Sequence, residues 1–193
     1  MIFKRLWWTI RLCMIGDSMK RADYARASGI YGFVGKQVSI MPRIVPLYSE
    51  LIKINDNVII ASNVTFLTHD AINYMLNNCA GVQKKFKERI GCIEIGKNSF
   101  IGGGSTILYD VKIGENVIVG ADSFVNHDDL PSNGVYAGCP ARKIGDYADY
   151  VNKRMKEEEK GLITTTEHHQ HLTAADIKAA WKHFYEKRNS DIY

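Results

Sequence analysis

Apolar residues recur at every sixth position through the middle of the chain. Between residues 95 and 125 the recurring positions are Ile95, Ile101, Ile107, Ile113, Val119 and Val125. An amphipathic helix repeats near 3.6 residues and a half-buried strand repeats at two, so neither explains this spacing. A six-residue period predicts a parallel β-helix, in which each repeat supplies one short strand and the bend into the next face.

Two further positions of the repeat are restricted in residue type. Glycine follows four of the apolar residues, at Gly96, Gly102, Gly114 and Gly120. A small or β-branched residue stands four positions after the apolar one, as Ser99, Ser105, Val111, Val117 and Ser123. We expect the apolar side chain to enter the axis of the β-helix and the smaller one to prevent overpacking beside it. Each coil then buries against its neighbours what it cannot bury alone.

The same pattern occurs upstream with one interruption. The apolar positions there are Val34, Ile40, Ile54, Ile60 and Phe66, and the smaller ones are Val38, Ile44, Val58 and Val64. The phase slips by two residues between Ile40 and Ile54, which predicts a bulge or short loop near residues 46–50. Ordinary short strands in a sandwich are the alternative, and the strict spacing over 95–125 argues against them.

We divide the chain into three regions. Residues 1–28 form a helical lead-in, residues 29–145 the β-helix with a loop inserted at about 70–92, and residues 146–193 a helical C-terminal extension. In the extension, Thr173 and Asp176 match a capping box that begins a helix.

The N-terminal segment is predicted to be an amphipathic helix. One face carries an apolar stripe of Phe3, Leu6, Trp7, Ile10 and Met14, and its apolar run is too short to span a bilayer. The stripe is expected to pack on the β-helix or on a neighbouring subunit. Peripheral contact with a membrane surface is the alternative, because Lys4, Arg5 and Arg11 accompany it.

The composition limits the classes of binding partner and indicates the cellular compartment. A formal charge of +4 and a pI near 8.8 are too weak to predict nucleic-acid binding, and they suit a phosphate-bearing small ligand. The four cysteines form no C-x-x-C pair, which favours a reducing, cytoplasmic location. The histidines of "EHHQH" are interpreted as part of a solvated linker, since nothing nearby completes a closed zinc site.

Three segments together resemble a known family. They are "INDNVIIASNVTFLTHD", "IEIGKNSFIGGGSTILYDVKIGENVIVGADSFV" and "LPSNGVYAGCPARKIG". The chain is similar over about residues 29–145 to hexapeptide-repeat acyltransferases, in particular the sugar, xenobiotic and polysaccharide O-acetyltransferase branch. The resemblance implies a mainly β fold built as a left-handed parallel β-helix. It also implies acetyl-CoA as co-substrate, no metal, and a homotrimer with each site between two β-helices.

His69 is the candidate catalytic residue. It lies in "FLTHD", where the repeat stops and the inserted loop begins, and long loops in compact domains are usually functional. Acetyl transfer to an alcohol needs a base for the hydroxyl proton, and a neutral imidazole suits that role. The resemblance assigns His69 as this general base, whereas a surface histidine before a loop is the alternative. Asp70 is expected either to contact substrate or simply to begin the loop.

The resemblance also suggests residues for the cofactor and the acceptor. Backbone amides at Gly103 and Ala121 are expected to hold the pantetheine arm of acetyl-CoA, and Arg142 and Lys143 its phosphates. Phe100 stands where many relatives carry tryptophan. The resemblance therefore gives weaker support for a contact between Phe100 and the acceptor. His127 and Asp128 replace a common "T-K-D" sequence and are interpreted as a cofactor contact or an exposed turn.

Three other functions remain as alternatives. The first is acetylation of an amino sugar, an antibiotic or serine. The second is a β-helical carbonic anhydrase, which needs three zinc histidines, whereas the predicted coils contain only His69 and His127. The third is a non-enzymatic scaffold that uses the flat coil faces for assembly.

Overall fold

The structure of the protein is a computed structural model that describes residues 2–83, 85–126, 129–159 and 172–190. Its helices are α1 (Ile2–Met14), α2 (Ser18–Ala27), a 3-10 turn (Ser49–Leu51), α3 (Ile72–Leu76), α4 (Tyr147–Glu159) and α5 (Ala174–Ser190). Its strands are β1 (Phe33–Val34), β2 (Ser39–Ile40), β3 (Ile52–Ile54), β4 (Val58–Ile60), β5 (Thr65–Leu67), β6 (His69–Asp70), β7 (Arg89–Ile90), β8 (Ile93–Ile95), β9 (Ser99–Ile101), β10 (Thr106–Leu108), β11 (Val111–Ile113), β12 (Val117–Val119), β13 (Phe124–Val125), β14 (Gly134–Ala137) and β15 (Arg142–Asp146).

The short strands stack into the three faces of a β-helix. Face A has the order β1-β3-β8-β11, face B β2-β4-β9-β12-β14-β15, and face C β5-β10-β13. Pairing is parallel except for β15, which folds back antiparallel on β14. Equivalent repeat positions lie side by side, as Ile54, Ile95 and Ile113 do on face A. The predicted β-helix is therefore confirmed, and helices accompany it.

The core is formed by two positions of the six-residue repeat, the apolar residue and the smaller residue four positions after it. The apolar residues from Ile95 to Val125 are at most 1% exposed, and the smaller residues between them are also buried. One upstream assignment is wrong, because Ile44 is 76% exposed while Val45 is 1% exposed. Residues 41–48 form no strand, so the six-residue period does not continue there. A shift of one residue turns the side chain to the opposite side of an extended chain.

The repeat glycines are required by the close approach of adjacent coils. A Cβ atom on Gly102 would lie 2.4 Å from the backbone nitrogen of Ala121, and one on Gly96 would lie 2.4 Å from the carbonyl oxygen of Gly114. Contacts this short to backbone atoms cannot be relieved by rotating a side chain. A methyl group at either position would therefore push two coils apart.

Four asparagines form a ladder along one corner of the β-helix. Asn57 donates to Asn98 at 3.0 Å, Asn98 to Asn116 at 3.0 Å, and Asn116 to Asn133 at 2.8 Å. All four have positive φ angles, between 54° and 63°. Asparagine tolerates this left-handed conformation better than most residues do. The side chains thus stabilise both the turn within a coil and the stacking between coils.

We predict that Asn98→Ala lowers the free energy of unfolding by about 2–4 kcal/mol. The variant loses two hydrogen bonds of the ladder. Alanine also tolerates the left-handed backbone conformation less well than asparagine, whose polar side chain can form local hydrogen bonds. Asn98→Gly is the matched control, because glycine accepts the same backbone conformation and loses only the ladder. Urea unfolding should give the smaller loss for glycine. Equal losses would show that backbone conformation contributes nothing at this corner.

The N-terminal helices cover one end of the core, although not by the predicted stripe. Leu12 of α1 is buried and Trp8 packs against the core, whereas the stripe from Phe3 to Met14 is between 45% and 87% exposed. Packing of that stripe on the β-helix of the same chain was therefore a wrong prediction. In α2, Arg21 is buried and donates to the carbonyl groups of Ile40, Ile15 and Gly16. Among the described residues, no helix is long and apolar enough to cross a membrane.

The contacts divide the chain into units at 1–148 and 149–193. In the second unit, α5 begins with the predicted capping box: Asp176 accepts from the backbone nitrogen and hydroxyl of Thr173, and the Asp176 nitrogen donates to that hydroxyl. These hydrogen bonds also lower the pKa of Asp176. Trp181, Phe184 and Tyr185 of α5 contact one another through their rings and remain 40–58% exposed.

Candidate functional site

The segment inserted after β5 forms an arm, residues 69–90, that carries His69 at its base. Strands β6 and β7 close the arm as an antiparallel pair, with His69 opposite Ile90 and Asp70 opposite Arg89. Just outside the arm, Gly91 donates to the carbonyl of Thr68 at 2.9 Å, and the buried Thr68 hydroxyl donates to Leu47 at 2.5 Å. His69 is therefore held at the point where the arm leaves the last turn of the first complete coil.

The imidazole of His69 is oriented by an aromatic neighbour. The ring is half-buried and meets Tyr48 edge-to-face, with centroids 5.6 Å apart and planes at 89°. The Tyr48 hydroxyl donates to Glu88 of the arm at 2.7 Å. The Nδ1 atom of His69 is buried and has no hydrogen-bond partner among the described residues. This leaves Nε2 as the accessible nitrogen, which is the atom able to exchange a proton with a ligand.

Asp70 anchors the arm to a later coil. The Tyr109 hydroxyl donates to Oδ2 of Asp70 at 2.5 Å, and the Ile72 nitrogen donates to Oδ1 at 3.1 Å. The Arg89 guanidinium lies over the Tyr109 ring, 5.0 Å from its centroid. The Tyr109 hydrogen bond is the main cause that lowers the pKa of Asp70, and it raises the pKa of Tyr109. Asp70 both begins the loop and fixes it, and a contact with substrate stays a prediction.

We predict that Tyr109→Phe loosens the arm and lowers kcat/KM about 10-fold, because small displacements of a catalytic group are costly. Hydrogen exchange of the amides in α3 should accelerate. The fold lowers the pKa of Asp70, so its anchoring holds at neutral pH and is lost as pH falls through that lowered value. In the variant the anchoring by Tyr109 is absent at every pH, and the pKa of Asp70 rises towards its ordinary value.

Tyr74→Phe is the control for this prediction, since Tyr74 lies on the same arm and is 64% exposed. It should leave exchange and activity unchanged. If the two variants behave alike, the bond between Tyr109 and Asp70 does not position the arm.

The positions predicted for the cofactor lie along one corner of the β-helix. Gly103 and Ala121 occupy this corner on consecutive coils, and the nitrogen of Asp122 donates to the carbonyl of Gly103 at 2.8 Å. Gly103 is half-buried and Ala121 is exposed. Ser62 is the equivalent residue one coil earlier, because its carbonyl accepts from the Gly104 nitrogen at 3.0 Å. The corner therefore offers accessible backbone in a line parallel to the coil axis.

Arg142 and Lys143 are neighbours on one strand, so their side chains are expected to point to opposite sides of the sheet. Both lie exposed on β15, where successive side chains point to opposite sides of the sheet. Lys143 forms an ion pair with Asp146 at 2.7 Å, which raises the pKa of Lys143. Arg142 donates to its neighbouring carbonyl at Ala141. A contact of either cation with the phosphates of the cofactor stays a prediction.

Phe100 lies apart from His69 within one chain. It occupies the middle of β9 on the outer side of face B and is 39% exposed, and no described contact links it to His69. The predictions for His127, Asp128 and the "EHHQH" segment fall outside the described residues. In the described part of the chain, no three His, Cys, Asp or Glu side chains gather as metal ligands.

His69 opens onto a groove of about 910 Å³. One wall contains Ser62 and Asn63, at the corner one coil before Gly103, and another contains the irregular segment 41–47. Leu67 and Met41 supply apolar surface to it. The groove therefore extends from His69 to Ser62, which lies on the same corner as the predicted cofactor positions one coil earlier.

Comparison with known proteins agrees with this architecture. The family model described as "Bacterial transferase hexapeptide (six repeats)" matches residues 92–127. The protein YvoF of Bacillus subtilis (strain 168) is 34% identical over 126 residues, which are 64% of this chain and 63% of YvoF. Galactoside O-acetyltransferase of Escherichia coli (strain K12) is 38% identical over 99 residues, 51% of this chain and 45% of that protein. The chain thus spans less than two thirds of the length of either relative.

A solved structure extends the similarity over more of the chain. The maltose O-acetyltransferase from Clostridium difficile 630 is 27% identical, with a TM-score of 0.52 over 75% of this chain and 87% of that one. The repeat, the stacked coils and these relatives agree with the resemblance seen in the sequence. Residues 92–127 match the hexapeptide transferase model, and the chain is similar to acetyltransferases over 51–75% of its length.

Proposed function

We propose that the protein is an acetyl-CoA-dependent O-acetyltransferase that acetylates a hydroxyl of a sugar or glycan. The observation that carries the proposal is the position of His69, which lines a groove beside a corner of accessible backbone and keeps its Nδ1 buried. The names of the galactoside and maltose O-acetyltransferases among the relatives support a sugar acceptor. We also propose that the coils wind left-handed, as the six-residue repeat suggests.

Transfer would proceed directly from the thioester to the acceptor. Nε2 of His69 accepts the proton of the acceptor hydroxyl while its oxygen attacks the carbonyl carbon of acetyl-CoA. The tetrahedral intermediate then collapses with cleavage of the carbon–sulfur bond, and the imidazolium returns the proton to the leaving thiolate. The products are the acetyl ester and free coenzyme A, and the protein itself is never acetylated.

The donor would lie along the corner that contains Gly103 and Ala121. Their backbone amides are suited to the amides of the pantetheine arm, and Gly103 lets the ligand approach the chain closely. Arg142 and Lys143 are the candidates for the phosphates, because guanidinium and ammonium groups suit that negative charge. Phe100 would contact the substrate of a neighbouring copy, since it lies on the outside of face B.

We propose a homotrimer in which two copies complete each site. The arm supports this proposal by exposing a set of apolar side chains that a second copy would cover: Ile72, Tyr74, Met75, Phe86 and Ile90. The exposed stripe of α1 is a second candidate interface, either with another copy or with a membrane surface. A stable monomer in sedimentation at micromolar concentration would contradict the trimer. Cytoplasmic location stays a prediction from the cysteine content.

Release of free thiol from acetyl-CoA tests the function. The acceptors are neutral sugars, amino sugars, serine and streptogramin-type alcohols, and each product is then treated with mild alkali. We expect thiol release with sugars and an alkali-labile ester product. An alkali-stable product from amino sugars would identify an N-acetyltransferase. Bound acetyl-CoA without any transfer would indicate a glycan acceptor outside the panel, whereas neither binding nor transfer would favour the scaffold alternative.

A further inference from the structure

The charged side chains that line the groove at His69 are positive. Two guanidinium groups line it, those of Arg5 on α1 and Arg43 in the irregular segment after β2. No aspartate or glutamate occurs among the described residues that line it. Neither arginine forms a salt bridge with a residue that the structure describes. A groove with two cations and no described acidic group favours an anionic ligand.

Arg43 is held in place rather than extended freely into solvent. Its Nη1 atom donates at 2.8 Å to the carbonyl of Cys13, which lies near the C-terminal end of α1. A guanidinium has five N–H donors, so this bond leaves a fork for a second partner. Cys13 itself lines the groove. The tether therefore fixes the direction of the cation beside the space where a ligand would lie.

A third cation, the guanidinium of Arg21, lies close enough to Arg43 to interact with it electrostatically. The buried Arg21 guanidinium is bound to three carbonyl groups. Its pKa is lowered first by burial and then by the positive charge of Arg43. The nearby Asp17 carboxylate accepts from the nitrogens of Met19 and Lys20 at the start of α2. The Asp17 carboxylate acts in the opposite sense and raises the pKa of Arg21, so it compensates part of this positive charge.

The groove has room for more than the reacting hydroxyl. At about 910 Å³ it is near the upper end of ordinary small-molecule sites. Leu67 and Met41 offer apolar surface for the C–H faces of a sugar, while His69 and the two arginines supply the polar contacts. One ligand can therefore contact the imidazole and the cations together.

We propose that the acceptor is an anionic sugar whose carboxylate or phosphate binds Arg5 and Arg43 while its hydroxyl reaches His69. This inference rests on the proposed function, because it assigns the substrate class of the same site. Arginine suits both anions, since its planar fork donates two parallel hydrogen bonds to either.

Matched acceptors test the proposal. Methyl galacturonoside is compared with its methyl ester, and methyl galactoside 6-phosphate with its neutral dimethyl phosphate ester, so that each pair changes mainly in charge. Thiol release gives kcat and KM, and calorimetry without acetyl-CoA gives binding alone. We expect at least one anion to exceed its neutral partner about 10-fold in kcat/KM and in affinity. The pair that shows the difference identifies the carboxylate or the phosphate as the preferred group.

Variants then assign the effect to the two arginines. Arg43→Gln and Arg5→Gln should each raise KM for the anionic acceptor about 10–100-fold, with kcat and the neutral acceptor little changed. Arg43→Lys should restore part of the affinity. Lys53→Gln is the control, because it removes one exposed charge from face A outside the groove. Melting curves check that each variant is folded.

The outcomes separate this inference from the proposed function. Tighter binding of an anion that is lost in the Arg43→Gln and Arg5→Gln variants supports the anion site even if no acceptor is acetylated. Equal binding and turnover of charged and neutral acceptors would overturn the inference while leaving the acetyltransferase intact. Equal effects of Lys53→Gln and Arg43→Gln would also overturn it, since net charge alone would then explain the preference.

Discussion

Replacing His69 with alanine should lower kcat for acetyl transfer by about 10²–10⁴-fold, the usual contribution of a general base. The variant keeps the arm, because the bond between Asp70 and Tyr109 and the bond between Tyr48 and Glu88 do not involve the imidazole. It should also keep the affinity for coenzyme A, since the proposed donor corner lies on other coils. Steady-state thiol release and calorimetry measure the two quantities on one preparation.

Tyr48→Phe is the matched control for this prediction. It removes the hydroxyl that binds Glu88 but keeps the ring that meets the imidazole edge-to-face. We expect a much smaller loss of kcat than for His69→Ala. Full turnover of His69→Ala with an unchanged pH profile would show that another group removes the hydroxyl proton.

The second large effect is expected in the axis of the β-helix. Ile101 is fully buried on β9, between Ile60 and Val119 of the adjacent coils. Ile101→Ala should lower the free energy of unfolding by about 2–5 kcal/mol, because stacked coils cannot collapse into the cavity. Ile101→Val removes one methylene and should lose about 0.5–1.5 kcal/mol. Urea unfolding monitored by circular dichroism measures both.

Phe100→Leu is the surface counterpart, since the side chain next to Ile101 on β9 points outward and is 39% exposed. It should change the free energy of unfolding little. A loss as large as that of Ile101→Ala would contradict the inward and outward assignment along the strand.

The sequence predicts the β-helix because the six-residue period repeats a single physical requirement. Every coil places an aliphatic side chain such as Ile95 or Ile107 in the same narrow axis, so the requirement is visible in each repeat. The asparagine ladder could also be predicted from the sequence, since Asn98 and Asn116 precede equivalent strands one coil apart. It lies outside the apolar pattern, because the corners are specified by polar residues with positive φ.

Tertiary contacts of single residues were less predictable. Tyr109 meets Asp70 across 39 positions of sequence, and nothing local in either segment indicates the pairing. The amphipathic pattern of α1 identified an apolar stripe but not the side that packs, where Trp8 and Leu12 contact the core instead. Arg142 and Lys143 look like one basic pair in the sequence, and the alternation of a strand separates them.

The most direct test of the account follows the acetyl group itself. Acetyl-CoA labelled with ¹³C in the acetyl carbonyl is incubated with the protein and a sugar acceptor, and the label is located by NMR and by mass spectrometry of the protein. Direct transfer at His69 predicts an ester carbonyl on a sugar hydroxyl, with no label on the protein and no ester formed by His69→Ala. Label that accumulates on the protein, or remains on coenzyme A with every acceptor despite measured binding, would contradict direct transfer at His69.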